Sequence, residues 1–221
     1  MSNLIIIGTI HQSTKNYPAV DLFNAFETIR PDVIFEELPT ELHVEPIDKI
    51  IPFGEELEGQ EGSAIKWYFD KYKIPVIPID LPNRNELYKK NISQEGLIAN
   101  FKILKESAKD FHKIEEYFEI TERQKELSLI GNITDINSEK MDTLVLRKRE
   151  LINEFCIPFL DKNLQNQNYI KKYEDWFDER ESYMANTVKK QMKNFEKAVF
   201  PVGAEHRVTL LYRLGDLATL Y

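Results

Sequence analysis

Uninterrupted apolar runs mark the two ends of the chain, and helical spacing marks its middle. Leu4-Ile5-Ile6-Ile7 is apolar at every position, as a strand covered on both faces must be, and predicts a central parallel strand. Residues 18–29 change period: Pro18 suits a first helical turn, and Val20, Phe23, Ala25, Phe26 and Ile29 fall on or near one face. Val33-Ile34-Phe35, introduced by Pro31-Asp32, predicts a second strand, residues 63–72 a short helix, and residues 75–79 a third strand. Such alternation predicts right-handed crossovers onto a mainly parallel sheet. Beyond it the spacing stays helical, as in Phe101, Leu104 and Ala108, and predicts four or five helices with breaks near Gly131-Asn132 and at Pro158. The longest is expected over 175–195. Ala198-Val199-Phe200-Pro201-Val202 then predicts a further strand, and about 205–213 a helix. The expected fold is α/β: one domain whose mainly parallel sheet core comes from residues 1–83 and 197–221, with a large helical insertion over 84–196.

One four-residue pattern follows a strand at each end: Gly8-Thr9-Ile10-His11 and Gly203-Ala204-Glu205-His206. The chain has only 8 Gly and 4 His, so half its histidines stand in these copies. Ligands of open parallel sheets bind beyond the carboxyl ends of the strands. His11, Glu36, Glu37, Asp80 and His206 all fall at such ends. Two imidazoles and a carboxylate suit a borderline divalent metal, with positions left for water and substrate. Gly8 and Gly203 permit a tight turn and a close backbone approach, and leave N–H groups free at a following helix start for an anion or oxyanion. Glu36 and Glu37 point to opposite faces if the strand is regular, and either can act as a base. Asp178-Glu179-Arg180-Glu181 reads as the opening of the last long helix, either a solvated charged start or an arginine aimed into the cleft. His43 and His112 read as surface residues.

Composition narrows the function classes. The chain has 221 residues, of which 42% are apolar and 30% charged, enough for a sizeable core in an ordinary globular protein. A net charge of −8 disfavours nucleic-acid backbones and anionic membrane surfaces as partners. No apolar stretch approaches the roughly 18–20 residues that span a bilayer, and the first run is too short for a signal peptide. The single Cys156, between Phe155 and Ile157, excludes an internal disulfide and reads as a buried, unreactive thiol. Together these features predict a cytoplasmic protein; association into a homo-oligomer is compatible with all of them. The segment 39–62 carries seven Asp or Glu and one Lys, and reads as either a lid after strand two or a solvated acidic surface. There is no dinucleotide fingerprint, phosphate loop, Cys-x-x-Cys pair or nucleophile elbow.

The ordered set of motifs resembles the TraB/PrgY–Tiki superfamily, with its GumN-like, ChaN-like and erythromycin-esterase-like relatives. The resemblance lies in the two Gly-x-x-His copies, Glu37-Leu38 closing strand two, Asp80 after strand three, and Glu179-Arg180-Glu181-Ser182-Tyr183-Met184-Ala185 before the last strand. It spans nearly the whole chain, except the insertion. The family's aspartate is commonly followed by Arg-Pro; Leu81-Pro82 stands here, so an arginine role at that point is expected to be absent. The resemblance implies a divalent metal (manganese, cobalt or zinc) on His11, Glu37 and His206, and metal-dependent hydrolysis of an amide or ester in a small peptide-like substrate. It further implies that Arg180 contacts substrate or transition state, that Glu37 or Glu36 takes a proton, and that Asp80 and Glu179 support the site. Two other readings remain: a haem- or peptide-binding protein, and a metal-free hydrolase using a histidine–glutamate pair.

Overall fold

The computed structural model describes residues 3–43, 52–55, 59–164 and 167–221. Among these, five strands form one all-parallel sheet: β1 (Asn3–Thr9), β2 (Val33–Pro39), β3 (Val76–Asp80), β4 (Lys197–Gly203) and β5 (Ala218–Leu220), in the order β3-β2-β4-β1-β5. The two ends of the chain thus meet at the centre of the sheet. β1 and β4 lie side by side over their full length, from Asn3↔Lys197 to Thr9↔Gly203.

Strand alternation divides the apolar runs between two cores. Ile7, Ile34 and Val199 face one, with α1 (Ala19–Ile29), α2 (Gln60–Tyr72), α6 (Ile133–Ile136) and α7 (Glu139–Leu151). Leu4, Ile6, Val33, Phe35, Ala198 and Phe200 face the other, covered by Met184, Ala185 and Val188 of α9 (Tyr169–Gln191) and Leu210 and Leu214 of α10 (Ala204–Leu214). A third core lies within the helical segment, where Leu104 of α4 (Gln94–Ser107), Ile114 of α5 (His112–Ile130), Cys156, Leu160 of α8 (Ile157–Leu164) and Ile170 meet. The segment between β3 and β4 is therefore no appendage, since α6, α7 and α9 also cover the sheet.

Several elements depart from expectation. Among the described residues the segment holds seven helices, α3 (Arg84–Asn91) to α9, rather than four or five. Asn132 does break it, capping α6 through a reciprocal box with Asp135. Pro158 does not: a π-helical turn, Ile152–Cys156, joins α7 to α8 and widens the backbone where the proline ring would strike the preceding turn. Helix α2 begins at Gln60, three residues early, which shortens the acidic loop; residues 44–51 and 56–58 of that loop lie outside the described residues. The short strand β5, paired with Leu4–Ile6, had no signal of its own. No helix among the described residues is long and apolar enough to cross a membrane.

Candidate active site

The chain leaves β1 toward one side of the sheet and β4 toward the other, so a crevice opens at their carboxyl ends. A proline shapes it. Pro201 sits in β4 between two neighbours, where an interior strand normally needs every N–H. Pairing of β4 with β1 runs on past it, whereas pairing with β2 ends at Ile34↔Val199. The missing donor thus faces the gap where β2 turns away. Glu37 fills that gap: its Oε2 accepts from the Gly203 N–H at 2.8 Å. Alternation had already aimed it there, since Val33 and Phe35 face α9 and Glu37 continues their row. Glu36 turns elsewhere, onto His43 Nδ1 at 2.8 Å, and a one-residue bulge against β3 follows it. His43 is consequently a half-buried partner rather than a surface residue, whereas His112 is exposed.

His11 approaches from the β1 side with a left-handed φ of 62°. Its loop is pinned to the start of α2, where Gln60 N–H donates to the His11 carbonyl at 3.0 Å and the Gln60 side chain holds Tyr17 O at 2.9 Å. The next residue, Glu61, takes His11 Nδ1 at 2.8 Å and also accepts from Thr9 Oγ1. Burial alone would raise the Glu61 carboxyl, but the hydrogen bond and charge of His11 outweigh it and lower it. The same hydrogen bond lifts His11 to about 9, although 59% of its side chain is exposed and water screens the pair.

The His11 ring lies over Gly203, where a Cβ would stand 2.7 Å from Nε2 and 3.0 Å from Cε1. Gly203→Ala should push the ring off Glu61 at a stability cost of about 1 kcal/mol, because the ring is free to move toward solvent. The His11 titration, followed by NMR, should then fall from about 9 toward 6.5. An unmoved titration would mean that this contact does not position the ring. Gly8 serves otherwise: its N–H and carbonyl are both gripped by Asn137, at 2.6 and 3.0 Å, and a Cβ would meet Arg207 Cδ at 2.9 Å.

His206 comes from the first turns of α10 and is buried. Its Nδ1 meets Glu181 Oε1 at 2.9 Å, its ring stacks on Phe177 at 4.1 Å, and its Nε2 stands 3.5 Å from Glu37 Oε1. Glu181 is fully buried and also holds both terminal nitrogens of Arg149 and the Thr209 hydroxyl. Burial would raise the Glu181 carboxyl; hydrogen bonds from His206 and Arg149 prevail and hold it at about 2. An ionised carboxylate only accepts, so the proton on His206 Nδ1 is assigned; Nε2 makes no hydrogen bond to Glu37 and belongs to the cavity wall.

Arg180 closes the back of the site. It does not open α9 but sits in its middle and is buried, with Nη2 on Glu37 Oε1 at 2.9 Å, Nη2 on Asp80 Oδ2 at 2.6 Å and Nε on Asp80 Oδ1 at 3.1 Å. Nη1 makes no hydrogen bond among the described residues. Burial opposes the charge on Asp80, but the hydrogen bonds of Arg180 lower its carboxyl. An arginine does reach Asp80 from beyond Pro82, since Arg84 at the start of α3 pairs with Oδ2. Glu179 does not join: it is exposed, about 100° round the helix from Arg180. The N–H of Gly203, expected free, is held by Glu37. Only the second Gly-x-x-His runs straight into a helix; α1 starts eight residues after His11.

A cavity of about 430 Å³ gathers His11, Glu37, Arg180, Gly203 and His206, with Thr121, Gln124 and Lys125 of α5 opposite. A second, of about 470 Å³, opens behind them on Glu36, Glu61 and Arg84, and shares His11, Glu37 and Arg180. No protein-family model, no curated protein and no solved structure matches this chain. Its chemistry is read from its own residues. Glu61, Glu181, Arg149 and Phe177 escaped the sequence reading. Only Phe177 and Glu181 carried a usable signal, since with Arg180, Met184, Ala185 and Val188 they form one face of α9 at three- and four-residue spacing.

Proposed function

We propose that this protein hydrolyses an amide or ester bond, moving protons through two histidine–glutamate pairs. One observation carries this reading: both histidines are tied at Nδ1 to a carboxylate, and both line one cavity with Glu37, His206 Nε2 3.5 Å from its Oε1 and His11 Nε2 over Gly203. A carboxylate on Nδ1 fixes tautomer and ring orientation and stabilises the imidazolium that forms. His206, buried against Phe177, takes the proton of a water whose oxygen adds to the substrate carbonyl. His11, lifted toward 9, carries a proton at neutral pH and gives it to the departing nitrogen or oxygen. Arg180 Nη1 and the amino end of α10, whose Ala204 and Glu205 line the cavity, are placed to meet the oxyanion. Glu37 has both carboxylate oxygens engaged, one by Arg180 and one by the Gly203 N–H, and holds the two in place.

The metal implied by the family resemblance fits only part of this donor set. Both imidazoles have the outer carboxylate that metal-bound histidines usually have. Glu37 does not fit, since Arg180 occupies one oxygen and Gly203 the other, and a guanidinium at 2.9 Å repels a cation. Among the described residues no group of three His, Cys, Asp or Glu is arranged to hold a metal ion. Manganese, cobalt or zinc on His11, His206 and a Glu37 freed from Arg180 is the second reading, favoured by the two outer carboxylates.

The test is a panel of p-nitroanilide dipeptides and p-nitrophenyl esters, assayed after exhaustive chelation and again with each metal added. Turnover unaffected by chelation is expected. Turnover that vanishes and returns with one metal selects the second reading, and no turnover in any condition removes both.

The pH profile adds a sharper check. His11 acts as an acid, so activity should be lost as pH rises through its titration, which lies above 6.5 and toward about 9. Glu61→Gln removes the charge that raises it and should move this alkaline limb down by at least one pH unit. A limb that stays in place would assign the acid to another group.

A further inference from the structure

Next to the active-site cavity lies a smaller one of about 240 Å³, and Lys148, Tyr173, Phe177 and Glu205 line both. Leu97, Phe101, Tyr117 and Ile152 add an apolar and aromatic stretch, and Arg149 and Glu174 complete the wall. A space of ~150 Å³ already holds benzene in a protein interior, so this one admits an aromatic or alkyl stem with a head group.

One charged group in this wall has no partner of its own. Lys148 is bonded to Glu205, and Arg149 to Glu181, with its guanidinium 4.8 Å over the Phe177 ring. Each cation thus has its own carboxylate. Glu174 has none: among the described residues it makes no hydrogen bond and no ion pair, yet it lines the cavity half-buried. Burial pushes its carboxyl up to about 7, with Arg149 and Lys148 pulling the other way and Glu205 and Glu181 adding to the rise. A carboxyl that burial raises and that has no protein partner costs stability. An incoming anion would meet two carboxylates, Glu174 and Glu205, and two cations already taken. An incoming cation would meet a vacant carboxylate in a wall that also holds Tyr117 and Tyr173.

We infer that this smaller cavity is a recognition subsite for a primary amine on an apolar or aromatic stem, the amine pairing with Glu174. Its assignment to the substrate rests on the hydrolase reading; the binding itself does not. An amide or ester carrying such an amine would set its carbonyl in the larger cavity, where the two spaces meet at Tyr173 and Phe177.

The test is an NMR titration of the whole chain with 2-phenylethylamine and, for comparison, the uncharged 2-phenylethanol. The amine should bind about tenfold more tightly and shift the amides of Tyr117, Tyr173 and Glu174. Glu174→Gln keeps the shape, should melt no lower than wild type at pH 8, and should erase the preference for the amine. Equal binding of the two compounds, no binding of either, or a preference that survives in Glu174→Gln overturns the proposal. His206→Asn should bind the amine as wild type does. A protein that hydrolyses the panel without preferring the amine would retain its hydrolase assignment and lose this subsite; one that prefers the amine without hydrolysing would do the reverse.

Discussion

Glu181→Ala should lower the stability of the folded protein by about 3–5 kcal/mol, the cost expected when one member of a buried ion pair is removed. The Glu181 side chain has no solvent exposure and serves four partners at once: Arg149 through two bonds, His206 Nδ1, Thr209 Oγ1 and, at 3.6 Å, Arg213 Nε. Its loss leaves a largely buried guanidinium without a counter-charge and an imidazole N–H without an acceptor. For a chain of 221 residues this corresponds to a melting temperature lower by roughly 10 °C. Glu181→Gln, which keeps the volume and one acceptor, should fall between the variant and wild type. The pH dependence has a definite sign. The carboxyl titrates near 4.5 when unfolded and about 2 when folded, so its contribution is complete above 4.5 and is lost as pH falls toward 2. That loss amounts to about 3 kcal/mol. A thermal melt series from pH 7 to 3 should show about two thirds of that loss, about 2 kcal/mol, because folded Glu181 is still ionised at pH 3. An alanine variant melting within two or three degrees of wild type at pH 7 would mean that Glu181 does not bear on the fold as described.

The sheet was legible because its signals are local. Four-residue apolar runs, Pro31-Asp32 before β2 and glycine at strand ends need no distant partner to be read. The pairing of the two Gly-x-x-His copies was legible for a different reason: similar strand ends in a parallel sheet point to one edge, and β1 and β4 turned out to be neighbours. Glu37 was legible in principle, by counting from Val33 through Phe35. What escaped was every group that acts from behind. Glu61 meets His11 across 50 residues and appeared as one more acid in an acidic loop. Glu181 stood in a charged run that looks solvated when its helix is started at 178; with α9 starting at Tyr169, the same residue falls on the buried face beside Phe177 and Met184. Helix starts are set by capping, here Asn168 accepting from Lys171 N–H at 2.9 Å, and by contacts that no short window contains.

His206→Asn should lower kcat/KM for amide or ester hydrolysis by about 10³, within the 10²–10⁴ that a positioned general base supplies. Asparagine is the informative replacement. Its amide N–H can take the place of the imidazole Nδ1–H on Glu181, so the buried Glu181–Arg149 pair survives, while nothing remains where Nε2 stood. Stability should fall by only about 1–2 kcal/mol, chiefly from the lost stack on Phe177. His11→Asn removes the opposing acid and should cost a comparable factor, with the alkaline limb of the pH profile removed as well. Because both imidazoles act on the same bond, the double variant should be little worse than the poorer single one, as residues that work as a unit are not additive. A double variant whose losses multiply would mean that the two pairs act at separate sites, one in each of the cavities that His11 borders. Turnover within threefold of wild type in His206→Asn, with the fold intact, would take proton transfer away from the buried pair and leave His11 and Glu61 to carry it alone.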